Sequence, residues 1–306
     1  MAIKIIKQGD LQWVDIDQIN DEELAFLKEN YNFHHLDLED IQSESQTPKI
    51  DVYKNYLFLV FHFPHWQHLT RTIIPHEVDI FLGNNFLITI QHGKNKDMKN
   101  FFYRCMRNKK TKKEWMNQNS GFLLYKILES LFHNTRGILN NMGRQISKTE
   151  DEIFAGGQDT KIIKELAVDR RNILGFRRII DPERYLVANL SHIRKLFLDE
   201  NLSLYFDDIA DYLNKLWAIL DTYKDSIDGL HVTVESLINQ KTNKVISVLT
   251  VISVSLLPLT LLSGIYGMNI DKLPFAHNPF LVWMMFLGLA AFITILILIM
   301  KKKKWL

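Results

Sequence analysis

The sequence predicts an α/β domain followed by long helices that continue into a two-span α-helical membrane domain. Three observations carry this reading. Val245–Ile265 and Phe280–Met300 are each about 21 residues without a charged side chain, enough to cross a hydrocarbon core. Strand-like alternation is confined to the first 92 or so residues, and from about Asp97 onward the pattern is helical. The expected division is 1–240 for the soluble domain, with 1–96 its α/β sheet part and 97–240 its long helices and stalk. Residues 241–306 then form the membrane domain, with spans at about 245–265 and 280–300.

Strands are expected at Ile3–Ile6, Leu11–Ile16, Tyr56–His62, Thr70–Ile74 and Glu77–Gln91, the last turned by Gly83-Asn84-Asn85 as a hairpin. The run Tyr56–Phe61 is apolar but strand-sized and aromatic, so it reads as a buried strand rather than a span. Asn20 with Glu23 three residues later marks a capping-box start for a helix through Asn30. In the helical part, breaks are expected at Gly156-Gly157 and at Asp181-Pro182. Ile209, Leu213, Leu216, Leu220, Tyr223, Ile227, Leu230, Val234 and Leu237 recur at alternating four- and three-residue steps, a heptad seam. Only Gly229 interrupts this segment before the first span, at roughly 1 kcal/mol, so one helix from about Leu202 to Ile265 is expected.

The two spans differ in kind. The second is Leu, Ile and Phe, suited to lipid, whereas the first carries Ser247, Thr250, Ser253, Ser255, Thr260, Ser263 and Pro258. At 100° per residue, Asn243, Ser247, Thr250, Ser253, Leu257, Thr260 and Gly264 share a sector of about 140°, with Ser255 and Ser263 outside it. That sector either faces a pore or packs closely against neighbouring helices. A pore needs several copies around an axis, because one such helix cannot wall it. Lys241 and Lys244 precede the first span and Lys301–Lys304 follow the second, while only Lys272 lies between, so both termini are expected in the cytoplasm. The lysine run serves as a stop-transfer anchor or as a basic ring near a cation path. The N-terminus has no apolar h-region after a basic start, so no cleaved signal is expected.

Charge and cysteine content narrow the partners. Lys and Arg total 37 against 35 Asp and Glu, which gives no overall case for nucleic acid. The single cysteine, Cys105, permits neither an intrachain disulfide nor a thiolate zinc cluster. There is no phosphate-binding Gly-x-x-x-x-Gly-Lys-Ser/Thr loop for ATP, and no nucleophile, base and oxyanion grouping that would suggest an enzyme. His62, His65 and His68, with His76 nearby, raise a zinc site, but their spacing across Pro64 fits no usual zinc motif.

Directly after the first span stands Tyr266-Gly267-Met268-Asn269, and here the chain resembles the CorA family of two-span divalent-cation (Mg²⁺/Co²⁺) transporters, whose signature is Gly-Met-Asn. The match extends through Lys241-Thr-Asn-Lys, Leu249-Thr, Pro258-Leu-Thr260, Gly264-Ile-Tyr-Gly-Met-Asn269 and the closing Lys301–Leu306. Upstream, His34-His-Leu-Asp-Leu-Glu-Asp40, Pro48-Lys-Ile-Asp51 and Tyr56-Leu-Phe-Leu-Val60 are similar to the family's cytoplasmic domain. The resemblance implies a funnel-shaped homopentamer in the plasma (cell inner) membrane, with first spans around the axis and second spans outside. It implies Mg²⁺ as substrate and regulatory ligand, with Co²⁺, Ni²⁺ or Zn²⁺ as alternatives, and no ATP. It also implies that Gly267, Met268 and Asn269 select the ion, that Asn243, Leu249, Leu257, Thr260 and Gly264 line the pore, and that Asp208, near Asp207 and Asp211, senses internal Mg²⁺.

The chemistry of Asn269 fits this expectation, since Mg²⁺ keeps its waters and a ring of amides can accept their hydrogen bonds without holding the ion too long. Gly267 has two readings, a helix-ending glycine or part of the filter, and Tyr266 serves as an interfacial aromatic. The three aspartates likewise read as a sensor or as a solvated helix face. The sequence departs from the family at Ile270-Asp-Lys-Leu-Pro-Phe275, where one acid stands beside a lysine. A different-class alternative is a membrane-tethered ion sensor or scaffold that conducts nothing.

Overall fold

A computed structural model describes residues 3–43, 46–92, 95–156, 160–198, 200–269 and 278–302. The chain forms two compact units, Met1–Leu230 and His231–Leu306.

The first unit is built on six strands, β1 (Ile3–Gln8), β2 (Leu11–Ile16), β3 (Lys49–Val52), β4 (Tyr56–Gln67), β5 (Thr72–Gly83) and β6 (Phe86–Ile90), in the order β1-β2-β6-β5-β4-β3. All neighbours are antiparallel except β2 and β6. Alternation divides the side chains between two faces. On one, Val14, Ile16, Phe58, Val60, Phe81 and Ile88 pack under Leu24 and Leu27 of α1 (Asp21–Asn30) and Leu38 of α2 (His35–Asp40). On the other, Trp13 meets Phe101 and Phe102 of α3 (Lys96–Arg107), and Phe63 meets Phe132 of α5 (Ser120–Phe154) at 4.8 Å between rings. The same side carries α4 (Lys109–Met116) and α6 (Thr160–Leu190).

Two expected interruptions are absent. The runs Thr70–Ile74 and Glu77–Gln91 join across Pro75 into β5, and β4 continues past Pro64 to Gln67. Pro64 and Pro75 face one another in the register, a position where the pair exchanges no N–H···O bond, so neither missing donor is felt. Pro75 also lies outside the stretch of β5 that pairs with β6, which begins at Asp79. Likewise Asp181-Pro182 does not end a helix, because α6 runs through it. Ile179, Ile180, Glu183 and Leu186 around the proline are buried, and Glu183 Oε1 accepts the His62 backbone N–H of β4 at 2.7 Å. That packing outweighs the one helical hydrogen bond proline forfeits. The break at Gly156 holds, with φ +90 there, while Gly157 lies outside the described residues. Asn20 stands at the N-cap of α1, but its side chain makes no cap hydrogen bond.

Helix α7 (Glu200–Tyr266) has 67 residues and includes Gly229 and Pro258 without a break, and at 1.5 Å per residue it is about 100 Å long. Its heptad seam is covered: Ile209, Leu213, Leu216, Leu220, Ile227, Leu230 and Val234 are buried, and Tyr223 and Leu237 half-buried. Within the first unit α7 packs on α5 and α6. His133 stacks on Tyr212 at 4.3 Å, and Arg177 and Arg184 lie over Trp217. The second unit holds the rest of α7 and α8 (Pro279–Lys302). Both helices are long and apolar enough to cross a membrane.

Asp15 of β2 is buried and accepts from the Thr89 hydroxyl at 2.8 Å and from Gln91 Nε2. Burial pushes its pKa from 3.8 to about 6, against the opposing pull of those two hydrogen bonds and Lys4. A carboxyl raised in the folded state ionises first in the unfolded chain. The resulting loss of stability begins near pH 3.8, grows as pH rises, and is complete above about 6, on the order of 3 kcal/mol. Asp15→Asn keeps the acceptor oxygen. It is expected to flatten the fall in thermal stability between about pH 4 and 6 and to gain stability at neutral pH, measured by thermal unfolding of the detergent-solubilised protein.

Candidate ion pathway and sensor

In the second unit, coverage separates two sides of α7. Val251 is buried and Ser255, Pro258, Leu259, Leu262 and Tyr266 are half-buried, a stripe at three- and four-residue steps. On α8 the covered positions are Val282, Phe286, Leu289, Ile293, Leu296 and Ile297, again at helical spacing. The Tyr266 hydroxyl contacts Met285 Sδ at 3.6 Å, at the end of the pair nearest the connecting loop.

The expected pore sector lies on the opposite side of α7. Asn243, Thr250, Ser253, Leu257, Thr260 and Gly264 are exposed, with Ser247 half-buried. Leu249, at the margin of the sector, is exposed as well, and Leu249 and Leu257 stand 64% and 66% open. Ser255, excluded from the sector by its angle, sits on the covered stripe. Leu257, Thr260, Gly264 and Met268 share a shallow groove with Leu261 and Ile265.

Two hydroxyls of this face are bound to their own helix. Thr250 Oγ1 donates to the Ile246 carbonyl at 2.9 Å and Thr260 Oγ1 to that of Leu256 at 3.0 Å. Each proton is thereby used, which lets the groups sit in an apolar setting and leaves oxygen lone pairs as what they can offer a partner.

Helix α7 ends at Tyr266. The Gly267 N–H still donates to the Ser263 carbonyl at 2.9 Å, and Met268 N–H bonds Ile265 O at 3.3 Å. A Cβ on Gly267 would come to 3.1 Å from Ser263 O, tighter than ordinary contact, so the glycine eases the helix end. Met268 and Asn269 follow, both exposed. The departing loop Ile270–Phe275 and Lys303–Lys304 lie outside the described residues. α8 begins with Pro279 in its first position and Asn278 Oδ1 accepting from Phe280 N–H at 3.2 Å.

Asp207, Asp208 and Asp211 are exposed on one side of α7, beside the exposed Leu204 and Tyr205. Tyr205 packs on Tyr125 of α5 at 4.8 Å, and the Tyr125 hydroxyl donates to Glu129 at 2.6 Å. Burial, then Glu129 and then the nearby Asp208, holds the Tyr125 hydroxyl well above its usual pKa. The neighbourhood of Tyr125 and Glu129 was not legible in the sequence, because α5 and α7 meet only in the fold.

Among the described residues, three-membered groups of metal-capable side chains occur elsewhere, at Asp37–Asp40–Asp51 and at Glu77–Asp79–His92. The first is already held from within, with Lys49 on Asp40 and Asp51 at 2.6 and 2.7 Å and the Tyr53 and Tyr56 hydroxyls on Asp37. The histidine run divides between the two faces of the sheet. His62 turns to Glu77 at 3.2 Å, whereas His65 stacks on His76 at 3.9 Å and, with His68 and Asp97, lines a separate cavity.

A large α/β unit feeding one uninterrupted helix into a pair of apolar spans defines a two-span membrane protein with a soluble domain. The CorA-like Mg²⁺ transporter protein family model matches residues 8–303, and the chain belongs to that family. It is 24% identical over 295 residues to the cobalt/magnesium transport protein CorA of Thermotoga maritima, covering 96% of this chain and 83% of that one. It is 25% identical over 305 residues to the protein of the same description from Methanocaldococcus jannaschii, covering 97% and 92%. The complete structure of the CorA magnesium transporter from M. jannaschii superposes with a TM-score of 0.82 at 22% identity, over 98% of this chain and 93% of that one.

If α8 covers the stripe and leaves the polar sector open, cysteines placed one at a time in a Cys105→Ala background will differ. Positions 253, 257 and 260 are expected to react with a hydrophilic thiol reagent at least tenfold faster than 255 and 262. Labelling rates on the membrane-embedded protein check this.

Proposed function

We propose that the chain assembles as a homopentamer in the cell inner membrane and conducts hydrated Mg²⁺ into the cytoplasm. The single observation behind this is the exposed sector of α7, carrying hydroxyls and Asn243 and leading to Asn269, on the side away from the half-buried stripe. Copies arranged about an axis would turn that sector inward, with Asn243, Leu249, Leu257, Thr260 and Gly264 lining the path. Leu249 and Leu257 would form apolar rings that close by dewetting. Five Asn269 amides, presented by Gly267 and Met268 at the helix end, would accept hydrogen bonds from the waters of the ion.

In this reading residues 1–240 are cytoplasmic, 241–306 form the membrane domain, and both termini lie inside, following the lysines that flank the spans. The membrane potential drives entry, two charges gaining about 4.6 kcal/mol per 100 mV. Asp208, with Asp207 and Asp211, would meet acids of a neighbouring copy, repelling until internal Mg²⁺ bridges them and favours the closed state. Because α7 is unbroken from Asp208 to Tyr266, three residues before Asn269, a tilt set at Asp208 would be felt at the helix end that presents the amide. The loop after Asn269, with one acid beside a lysine, leaves Co²⁺, Ni²⁺ or Zn²⁺ as alternative cargo of the same path.

In liposomes with an inside-negative potential, Mg²⁺ entry is expected, and Asn269→Ala should lower its initial rate at least tenfold. Unchanged entry would remove Asn269 from selection, and no flux of any of the four cations would favour a tethered sensor. Asp208→Ala should leave flux at low internal Mg²⁺ intact and raise the Mg²⁺ needed for half-inhibition at least threefold. An unmoved inhibition curve would take the sensor away from Asp208.

A further inference from the structure

The strand register gathers four metal-capable side chains that are scattered in the sequence. Glu77 and Asp79, two apart on β5, leave the same face of the sheet. His62 stands opposite Glu77 in the β4–β5 pair, and His92 lies two residues beyond Ile90, the partner of Asp79 on β6. The groups meet: His62 Nε2 is 3.2 Å from Glu77 Oε2, and His92 Nε2 is 2.7 Å from Asp79 Oδ2 and 3.6 Å from Glu77 Oε1. One ligand atom from each of Glu77, Asp79 and His92 lies within 4.8 Å of the others.

Burial and bonding give this cluster a second, independent mark. Asp79 is fully buried, and its Oδ1 has no hydrogen-bond partner; Glu77 Oε1 is likewise buried with none. Carboxylate oxygens left without donors in the interior are costly, and a cation is what would satisfy them. The surroundings also fix the ligands from behind. The Gln46 N–H donates to Glu77 Oε2 at 2.9 Å, and the His62 backbone N–H is held by the buried Glu183. His92 adopts φ +49, the left-handed region that a non-glycine residue enters at a cost of about 1–3 kcal/mol and that recurs at ligand sites.

We infer that Glu77, Asp79 and His92, with His62 as fourth donor, form a binding site for a divalent transition ion of the Zn²⁺ or Co²⁺ class. Imidazole nitrogens beside carboxylates favour such an ion over Mg²⁺, which prefers an all-oxygen shell and keeps its waters. The site belongs to the α/β sheet and uses neither Asn269 nor Asp208, so it stands whether or not the transport reading does.

The test uses purified full-length protein in detergent, stripped of metal and then titrated with Co²⁺ and Zn²⁺ in the presence of excess Mg²⁺. The expected result is one Zn²⁺ per subunit retained after desalting, and a visible Co²⁺ spectrum of the intense, four-coordinate type that Zn²⁺ abolishes. His92→Gln and His62→Gln should each weaken binding at least tenfold, with Asn269→Ala and His65→Gln unaffected. Circular dichroism of each variant confirms that it folds. Glu77→Gln replaces either histidine variant that does not, with the same loss expected. Failure of the wild type to retain Zn²⁺, a Co²⁺ spectrum of weak six-coordinate bands only, or wild-type affinity in folded variants of these ligands would each overturn the assignment.

Discussion

A backbone that leaves water must carry all its hydrogen bonds with it, and this constraint governs α7. In hydrocarbon no solvent repairs an open N–H or C=O, so a span must be a helix closed on itself. The 67 residues of α7 obey this except at Pro258, which has no N–H to offer the Val254 carbonyl, and the hydroxyls of Thr250 and Thr260 obey it too by returning their protons to carbonyls one turn back. The same helix serves two solvents through its side chains alone. Before Leu230 its seam is buried against α5 and α6. After Asn243 its covered stripe narrows to Val251, Ser255, Pro258, Leu259, Leu262 and Tyr266.

What was legible in the sequence follows from the range of the forces involved. Strand β2, the two spans and the α7 seam are written in local periodicity, and the structure places β2 at the expected residues. Prolines misled the reading at 64, 75 and 182 because their cost depends on what faces them. Two prolines paired across a ladder lose nothing, and Pro182 sits in a helix whose neighbours are buried in the sheet packing. Strand β3 is only four residues long and half-covered, too short to show alternation. The histidine run could not be placed from sequence, since period-two geometry sends His62 and His65 to opposite faces. The acids that meet His62 lie fifteen or more residues away, brought near only by register.

The first unit also accumulates carboxyl groups, on β2 and α6, that burial holds toward their protonated form. Asp15 and Asp169 are both raised to about 6, and Glu183 is pushed well above the usual carboxylate range. Each is anchored by a donor from another element: Thr89 for Asp15, Thr149 for Asp169, the His62 N–H for Glu183. Such groups lower stability at neutral pH, and they join strand to strand, helix to helix and helix to sheet. Glu183 illustrates the exchange. It stands directly after the proline, and its bond to β4 ties α6 to the sheet at the point where the helix lacks one of its own hydrogen bonds.

The exposed face of α7 combines groups that neither lipid nor bulk water would select together. A face against lipid has no use for Asn243, Ser253 and Thr260 at regular spacing, and a face in open water has no use for Leu249 and Leu257 standing 64% and 66% open. The proposed path between copies would reconcile them, because oxygen lone pairs can take hydrogen bonds from a hydrated ion while leucine rings would remove water when the path closes. In that proposal the amide of Asn269 would carry a burden that a carboxylate could not. It must be polar enough to order the waters around a small divalent ion, yet neutral enough for the ion to leave. The position of that amide, one residue past Met268 and free of the helix, is the part of the arrangement on which the proposed selectivity rests.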